Sequence, residues 1–255
     1  MILSVDIGNT HTNLGVGNLN DISRTVQVPT NDWGTAEMDA DIRRLIGRRR
    51  IEGVAIASVV PVATAHATTS LRQILGLEPV LLSHKNVVGL GIDYPKPSSI
   101  GADRLANAMA AVKAFGAPVV VVDFGTAVTF DVVDKSRCYV GGIIAPGLSA
   151  MTDYLHEKTA LLPRVRIRDP KRCIGKSTKE AMLIGAVKGY RGLISSLIDD
   201  IKSEMNVRRL RVVATGGYAD LIAKGLPQVS CVDRNLTLEG LRLLAIDCFG
   251  LSESG

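Results

Sequence analysis

The hydrophobic and polar positions of this chain predict an order of elements that occurs twice. Apolar alternation and helical spacing predict three strands and a helix in the first copy, at residues 2–5, 12–16, 25–28 and 36–48. The second copy has the same order, at residues 119–122, 128–133, 139–144 and 148–156. Because the period is half the chain, the pattern indicates a duplicated domain rather than a solenoid of short repeats.

Further elements follow each copy. In the first part we predict a nearly all-apolar strand, a helix, a short strand and an alanine-rich helix, at residues 54–60, 63–75, 79–82 and 103–115. After the second copy we predict a basic loop, a long helix, a strand and two helices, at residues 164–176, 178–205, 210–214, 218–224 and 238–248. Gly185 and Gly189 are candidate interruptions of the long helix. The sequence therefore predicts an α/β fold of two halves, residues 1–115 and 116–255, whose last helix is free to pack across the boundary.

The composition is that of a folded protein. The chain has 255 residues, of which 46% are hydrophobic and 22% charged. Its net charge is +5, with basic clusters at residues 43–50, 164–172 and 208–211 that suit either a nucleic-acid surface or solvated faces. Only 4% of the residues are aromatic, which argues against a base-stacking platform. We therefore predict no nucleic-acid partner.

The cysteines and the apolar runs indicate the cellular compartment. The four cysteines are far apart and form no C-x-x-C pair, so the sequence has neither a zinc nor a redox signature. The N-terminus carries no signal-peptide pattern, and no uninterrupted apolar run approaches the ~20 residues of a membrane span. We predict a cytoplasmic protein without a membrane partner.

Two similar segments carry the first candidate chemistry. Asp6-Ile7-Gly8-Asn9-Thr10 and Asp123-Phe124-Gly125-Thr126-Ala127, here named the first and second aspartate turns, each follow a buried strand. Glycine lets backbone amides approach a phosphate closely, and a carboxylate can hold a cation or its bound water. One such turn is more typical of a plain β-hairpin. Two of them, each opening a copy of the repeat, predict facing turns that grip a polyphosphate.

Three more segments contain residue types that suit ligand binding. Val213-Ala214-Thr215-Gly216-Gly217 suits an adenosine or phosphate group, or is an ordinary strand-to-helix turn. Gly101-Ala102-Asp103-Arg104 offers a proton acceptor beside a guanidinium that can pair with a carboxylate, or a helix cap with a surface ion pair. Gly175-Lys176-Ser177 is not a P-loop, because Pro170 stands where that motif requires glycine.

These segments in this order and spacing resemble the type III pantothenate kinases. The resemblance covers nearly the whole chain and includes Gly141-Gly142-Ile143-Ile144-Ala145-Pro146-Gly147 and residues 175–180. It implies the acetate kinase/sugar kinase/Hsp70/actin fold, with two ribonuclease-H-like halves and a cleft between them. It also implies that ATP phosphorylates pantothenate to 4′-phosphopantothenate, the first step of coenzyme A biosynthesis. The implied partners and cofactors are a second copy of the chain, ATP with Mg²⁺, and a monovalent cation, K⁺ or NH₄⁺.

The resemblance also assigns roles to residues. The residues expected to contact ATP are Asp6, Ile7, Gly8, Asn9, Thr10, His11, Thr12, Asn13, Thr126, Gly216 and Gly217. Those expected to contact pantothenate are Tyr94, Gly101, Ala102, Asp103, Arg104 and Thr178. Thr178 can come from the same chain or from the partner subunit of a homodimer. Asp103 is the expected proton acceptor and Asp123 the expected ligand of the monovalent cation, while Asp6 is a candidate for the magnesium of Mg-ATP.

Three alternatives stay open from the sequence. One is a kinase of the same fold that acts on another small hydroxy acid. The second is a regulatory protein that keeps the ATP cleft without catalysis. The third is a filament-forming or chaperone ATPase, which the short chain disfavours and which leaves Gly101-Ala102-Asp103-Arg104 without a role.

Overall fold

The computed structural model describes residues 1–252, and backbone contacts divide the chain into two compact units. The first unit contains Met1–Gly116, Arg137–Tyr139 and the segment from Asn235 onward, and the second contains Ala117–Ser136 and Val140–Arg234. The first stretch ends at Gly116, and the predicted halves meet between residues 115 and 116. The C-terminal segment, counted with the second half in the sequence prediction, groups with the first unit.

The first sheet has five strands in the order β3-β2-β1-β4-β5. Their bounds are β1 (Ile2–Ile7), β2 (His11–Gly17), β3 (Ile22–Pro29), β4 (Gly53–Ser58) and β5 (Val80–Leu81). β2 is antiparallel to both β1 and β3, while β4 is parallel to β1 and to β5. The side chains of β1 and β4 are almost all buried, which explains why these strands are nearly continuous apolar runs.

The second sheet repeats this topology. Its strands are β6 (Gly91–Ile92), β7 (Val119–Phe124), β8 (Ala127–Val133), β9 (Cys138–Pro146), β10 (Arg211–Thr215) and β11 (Cys231–Val232). They lie in the order β11-β10-β7-β8-β9-β6. Without the short edge strand β6, the order β9-β8-β7-β10-β11 is that of the first sheet. The predicted α/β fold with duplicated halves is confirmed.

The helices follow the predicted periodicity closely. Their bounds are α1 (Ala36–Ile46), α2 (Pro61–Leu75), α3 (Ala102–Phe115), α4 (Leu148–Lys158), α5 (Thr178–Ile184), α6 (Tyr190–Glu204), α7 (Ala219–Ala223) and α8 (Leu236–Cys248). Gly185–Gly189 is a π-helical turn between α5 and α6, so the interruption falls at the two glycines that the sequence singled out. The predicted strand at residues 54–60 ends earlier, at Ser58, because Pro61 opens α2.

Close helix packing completes the first unit. Gly240 in α8 lies directly against the carbonyl of Ala106 in α3, where a Cβ atom would overlap that oxygen. The many alanines of α3 permit the same close approach along the rest of the contact. α8 also contacts β1 and β4, and β1 is the strand that leads to the first aspartate turn.

One helical stretch, Thr178–Glu204, is long and apolar enough to cross a membrane by length and composition alone. Its apolar side chains include Tyr190, Ile194 and Ile198, which are buried in the core of the second unit. These three side chains belong to the hydrophobic core of a folded unit.

Candidate active site

The first aspartate turn is a tight connection between β1 and β2. The Gly8 amide donates a hydrogen bond to the His11 carbonyl at 3.0 Å. A Cβ atom at Gly8 would lie 3.0 Å from the same carbonyl oxygen, so a larger residue would widen the turn. Asn9, Thr10 and His11 are exposed on its outer side. The turn thus presents short polar side chains and backbone amides to a ligand.

Asp6 lies at the end of β1 and is half-buried. Its Oδ2 accepts a hydrogen bond from Asn13 Nδ2 at 3.2 Å, and Asn13 Oδ1 accepts one from Gln27 Nε2 at 2.9 Å. These three side chains come from β1, β2 and β3, which are adjacent in the sheet. The contacts orient the Asp6 carboxylate from one side, which suits a group that must hold a cation at a defined position.

A buried chain of hydrogen bonds supports the turn from behind. Trp33 Nε1 donates to Thr12 Oγ1 at 3.0 Å, and Thr30 Oγ1 donates to the Gly8 carbonyl at 2.7 Å. The two threonine hydroxyls are 3.1 Å apart. Because the Thr30 proton is used on Gly8, the Thr12 hydroxyl is the donor between them. The chain leads from the Trp33 indole to the Gly8 backbone and holds the turn in one conformation.

This geometry divides the residues expected to contact ATP into two groups. The Thr12 side chain is fully buried in the hydrogen-bond chain, and the Ile7 side chain belongs to the core of the first unit. The side chains of Asn9, Thr10 and His11 are exposed, and those of Asp6 and Asn13 are half-buried. The second group is accessible to a ligand, whereas Ile7 and Thr12 support the backbone.

The second aspartate turn lies beside the glycine segment that follows β10. Thr215 is paired with Asp123 in the parallel register of β10 and β7. Gly216 has a φ of 90° and packs on the Asp123 carboxylate, and a Cβ atom there would lie 2.7 Å from the Phe124 amide nitrogen. The Tyr218 amide donates to the Phe124 carbonyl at 3.3 Å. Only glycine fits this position, and the contact brings two predicted ligand-binding segments together at one sheet edge.

The glycine-rich end of β9 and the long helix support the second turn. The Gly147 amide donates to the Thr126 carbonyl at 3.1 Å, and Gly147 has no room for a side chain against that carbonyl. The Tyr190 hydroxyl donates to the Pro146 carbonyl at 3.2 Å, and its ring packs against Phe124 with centroids 6.4 Å apart. Burial raises the pKa of Tyr190 to about 12. Thr126 itself is exposed.

The segment that contains Asp103 and Arg104 opens α3. The N-cap residue is Gly101, so Asp103 is not the cap but lies in the first helical turn. Its Oδ1 accepts a hydrogen bond from the Arg104 amide at 2.9 Å. Both side chains are half-buried and therefore partly accessible.

Two tyrosines complete the surroundings of Arg104. The rings of Tyr94 and Tyr139 meet edge to face, with centroids 6.2 Å apart and planes at 75°. The Arg104 Cζ lies 5.9 Å from the centroid of the Tyr139 ring. Sequence reasoning missed Tyr139, because no local pattern relates the start of β9 to α3. Tyr139 lies two residues before the glycine-rich segment of residues 141–147, and this proximity was the available signal.

Comparison with known proteins identifies the family. The sequence model of the type III pantothenate kinase family matches residues 2–200. A type III pantothenate kinase from Methylacidiphilum infernorum is 42% identical over 246 residues, covering 96% of this chain and 87% of that protein. Another from Akkermansia muciniphila is 46% identical over 218 residues, covering 86% of each.

The chain belongs to the type III pantothenate kinase family.

Solved structures agree with this family's fold at low sequence identity. A protein from Campylobacter jejuni described as a Baf family transcriptional activator has a TM-score of 0.64 at 18% identity, covering 98% of this chain and all of the other. The activator of 2-hydroxyisocaproyl-CoA dehydratase from Clostridium difficile has a TM-score of 0.53 at 13% identity, covering 100% and 99%. A ROK hexokinase from Thermus thermophilus scores 0.50 at 16% identity, covering 96% and 98%. At these identities the likeness concerns the fold alone, an α/β architecture with two similar sheets.

In this member of the pantothenate kinase family, Thr178 is exposed at the start of α5. The Ser177 hydroxyl caps the helix by accepting from the Glu180 amide at 3.3 Å, and Glu180 Oε2 accepts from the Lys176 amide at 2.7 Å. Gly175-Lys176-Ser177 is thus the start of a helix with no preceding strand. Thr178 belongs to the second unit, whereas Tyr94 and Arg104 belong to the first.

Within residues 1–252, no group of three or more His, Cys, Asp and Glu side chains is placed to hold a metal ion. Neither Asp6 nor Asp123 belongs to such a group.

Proposed function

We propose that this chain transfers the γ-phosphoryl group of ATP to the primary hydroxyl of pantothenate, giving 4′-phosphopantothenate in the first step of coenzyme A biosynthesis. Membership of the type III pantothenate kinase family carries this proposal, since the family match spans both aspartate turns and Asp103-Arg104. It makes the chain an ATP-dependent phosphotransferase with an alcohol acceptor.

The two aspartate turns serve the nucleotide. Phosphoryl transfer passes through a loose transition state, so positioning and charge neutralisation supply most of the catalysis. The amides and the exposed side chains of the first turn bind the phosphates, and Thr126 contributes a contact from the second turn. Gly216 and Gly217 contact the adenosine group of ATP. Asp6 holds the magnesium of Mg-ATP directly or through water.

Gly101-Ala102-Asp103-Arg104 serves pantothenate. Arg104 pairs bidentately with the substrate carboxylate, as a guanidinium fork does. A carboxylate is a weak base towards an alcohol, so Asp103 orients the hydroxyl and accepts its proton late in the transfer. Tyr94 lines the same pocket, and its ring is held by Tyr139.

The monovalent cation, K⁺ or NH₄⁺, is assigned to Asp123. The location of Asp123 beside Gly216 supports this assignment, because a cation there neutralises charge next to the nucleotide segment. Assays in sodium-only and potassium-only buffers test it. Equal rates in the two buffers would remove the cation requirement and leave Asp123 without this role.

A second copy of the chain is the proposed protein partner, and Thr178 reaches the pantothenate pocket of that partner subunit. The apolar surface of α4 supports a homodimer. Met151, Tyr154 and Leu155 share one helix face by their spacing and are exposed. Light scattering of the purified chain tests the dimer, with Tyr154→Asp as the variant expected to dissociate it. A monomeric wild-type protein would reject the proposal.

The decisive experiment for the activity is a coupled ADP-release assay with ATP, Mg²⁺, K⁺ and pantothenate. Turnover that depends on pantothenate supports the proposal. Turnover with another small hydroxy acid but not with pantothenate would keep the phosphotransferase and replace the substrate. ATP, its magnesium and the free thiols of the described chain suit the cytoplasm, which is where we place the enzyme.

A further inference from the structure

Tyr139 occupies a central position between three elements of the first unit. Its side chain is 1% exposed. It lies at the start of β9, where it is paired with Ile92 of β6, and its carbonyl accepts a hydrogen bond from the Asp93 amide at 2.9 Å. The short β6–β9 ladder thus determines where the Tyr139 ring stands relative to the residues that follow β6.

Two residues that are expected to bind the substrate contact the Tyr139 ring. Tyr94, just after β6, packs its ring edge to face against Tyr139 at 6.2 Å. Arg104, from the first turn of α3, places its Cζ 5.9 Å from the Tyr139 centroid, within the range of a cation–π contact. Tyr94 and Arg104 come from different parts of the chain, and the Tyr139 ring touches both.

We propose that Tyr139 is a positioning residue that sets the selectivity for a substrate carboxylate. This inference rests on the proposed function. An arginine side chain has many rotamers, and a guanidinium fixed over an aromatic face has lost that freedom before substrate binds. Tyr139 therefore holds the Arg104 fork ready for a small hydroxy acid, and its contact with Tyr94 fixes the position of that second expected substrate contact.

A purely structural role of Tyr139 predicts a different result. A side chain that only fills the core affects stability and acts on every substrate alike. A positioning role acts on the substrate group that Arg104 binds. The two roles are separated by comparing pantothenate with pantothenol, in which a primary alcohol replaces the carboxylate.

The test measures steady-state kinetics of Tyr139→Leu, Tyr139→Phe and the wild-type chain with both substrates. We expect Tyr139→Leu to raise the KM for pantothenate roughly 5- to 30-fold, the factor that corresponds to the strength of a partly desolvated cation–π contact. Its turnover and its KM for ATP stay within about twofold, since Tyr94 and Arg104, which the ring contacts, are expected to bind pantothenate rather than ATP. Tyr139→Phe keeps the ring and retains wild-type selectivity.

The matched control is Phe249→Leu, which removes a ring from the first unit where Phe249 packs against Gly53. In Tyr139→Leu we expect the preference for pantothenate over pantothenol to fall by the same factor by which the KM for pantothenate rises. The control variant Phe249→Leu should keep the wild-type preference. An unchanged preference in Tyr139→Leu would overturn the inference.

Folding of the variants is checked by circular dichroism. If Tyr139→Leu does not fold, Tyr139→Met replaces it under the same criterion, and failure of both to fold would assign Tyr139 to the structural core and refute the positioning role. A wild-type chain inactive on pantothenate would instead refute the proposed function, so the two failures are distinguishable.

Discussion

Replacing Thr30 by valine tests the hydrogen-bond chain behind the first aspartate turn. Valine has nearly the same shape as threonine but no hydroxyl. Thr30 is 3% exposed, so water cannot replace the lost group. The substitution removes the bond to the Gly8 carbonyl at 2.7 Å and the contact with Thr12 Oγ1 at 3.1 Å.

The structure sets the size of the effect. Each intramolecular hydrogen bond contributes about 0.5–1.5 kcal/mol net, so the two together predict a loss of about 1–3 kcal/mol in the free energy of unfolding. For a chain of this size each kcal/mol lowers the Tm by about 2–4 °C. The KM for ATP also rises, because the Gly8 carbonyl loses its partner and the turn can move. If the whole lost free energy of about 1–3 kcal/mol appears in ATP binding, the KM rises roughly 5- to 150-fold.

Differential scanning calorimetry and the ADP-release assay measure the two effects. The matched control is Thr69→Val, since Thr69 is exposed on α2 and its Oγ1 donates to the Ala65 carbonyl at 3.0 Å. There water takes over the lost bond and little change is expected. A Thr30→Val protein with the Tm and the ATP KM of the control would refute the supporting role of this chain.

Three further predictions concern other parts of the site. Asp103→Asn keeps the shape and removes the proton acceptor, so turnover falls roughly 100-fold or more in the ADP-release assay, and a change of only a few-fold would reject the assignment. Gly216→Ala forces a side chain into a φ of 90° against Asp123 and Phe124. We expect it to lower the unfolding free energy by more than about 2 kcal/mol, and an unchanged denaturant midpoint would contradict this. Burial raises the Tyr190 pKa from 10.0 to about 12, so the stability it contributes is complete below pH 10 and is lost as the pH rises towards 12. The free energy of unfolding of Tyr190→Phe should therefore fall less between pH 9 and pH 11.5 than that of the wild type. Equal falls, measured by urea unfolding, would show that the raised Tyr190 pKa does not cause the pH dependence.

The local sequence was sufficient for most elements and for the candidate residues. Buried strands such as β1 and β7 are nearly continuous apolar runs, and α1 has its buried residues Met38, Ile42 and Leu45 at helical spacing, so hydrophobic periodicity located them. The two aspartate turns were recognisable because the same short pattern follows the same strand twice. The interruption at Gly185 and Gly189 followed from glycine's low helix propensity.

Tertiary structure decided which of these residues touch. The two-residue strands β6 and β11 have too few positions to show any period, yet the pairing of β6 with β9 is what brings Tyr139 to Tyr94. The burial of Thr12 depends on Thr30 and Trp33, which are distant in sequence, and the grouping of α8 with the first unit depends on its contact with α3. Hydrophobic periodicity shows which side chains of one segment face the core and which face solvent. Which other segment they contact depends on long-range packing, and a short stretch of sequence does not contain that information.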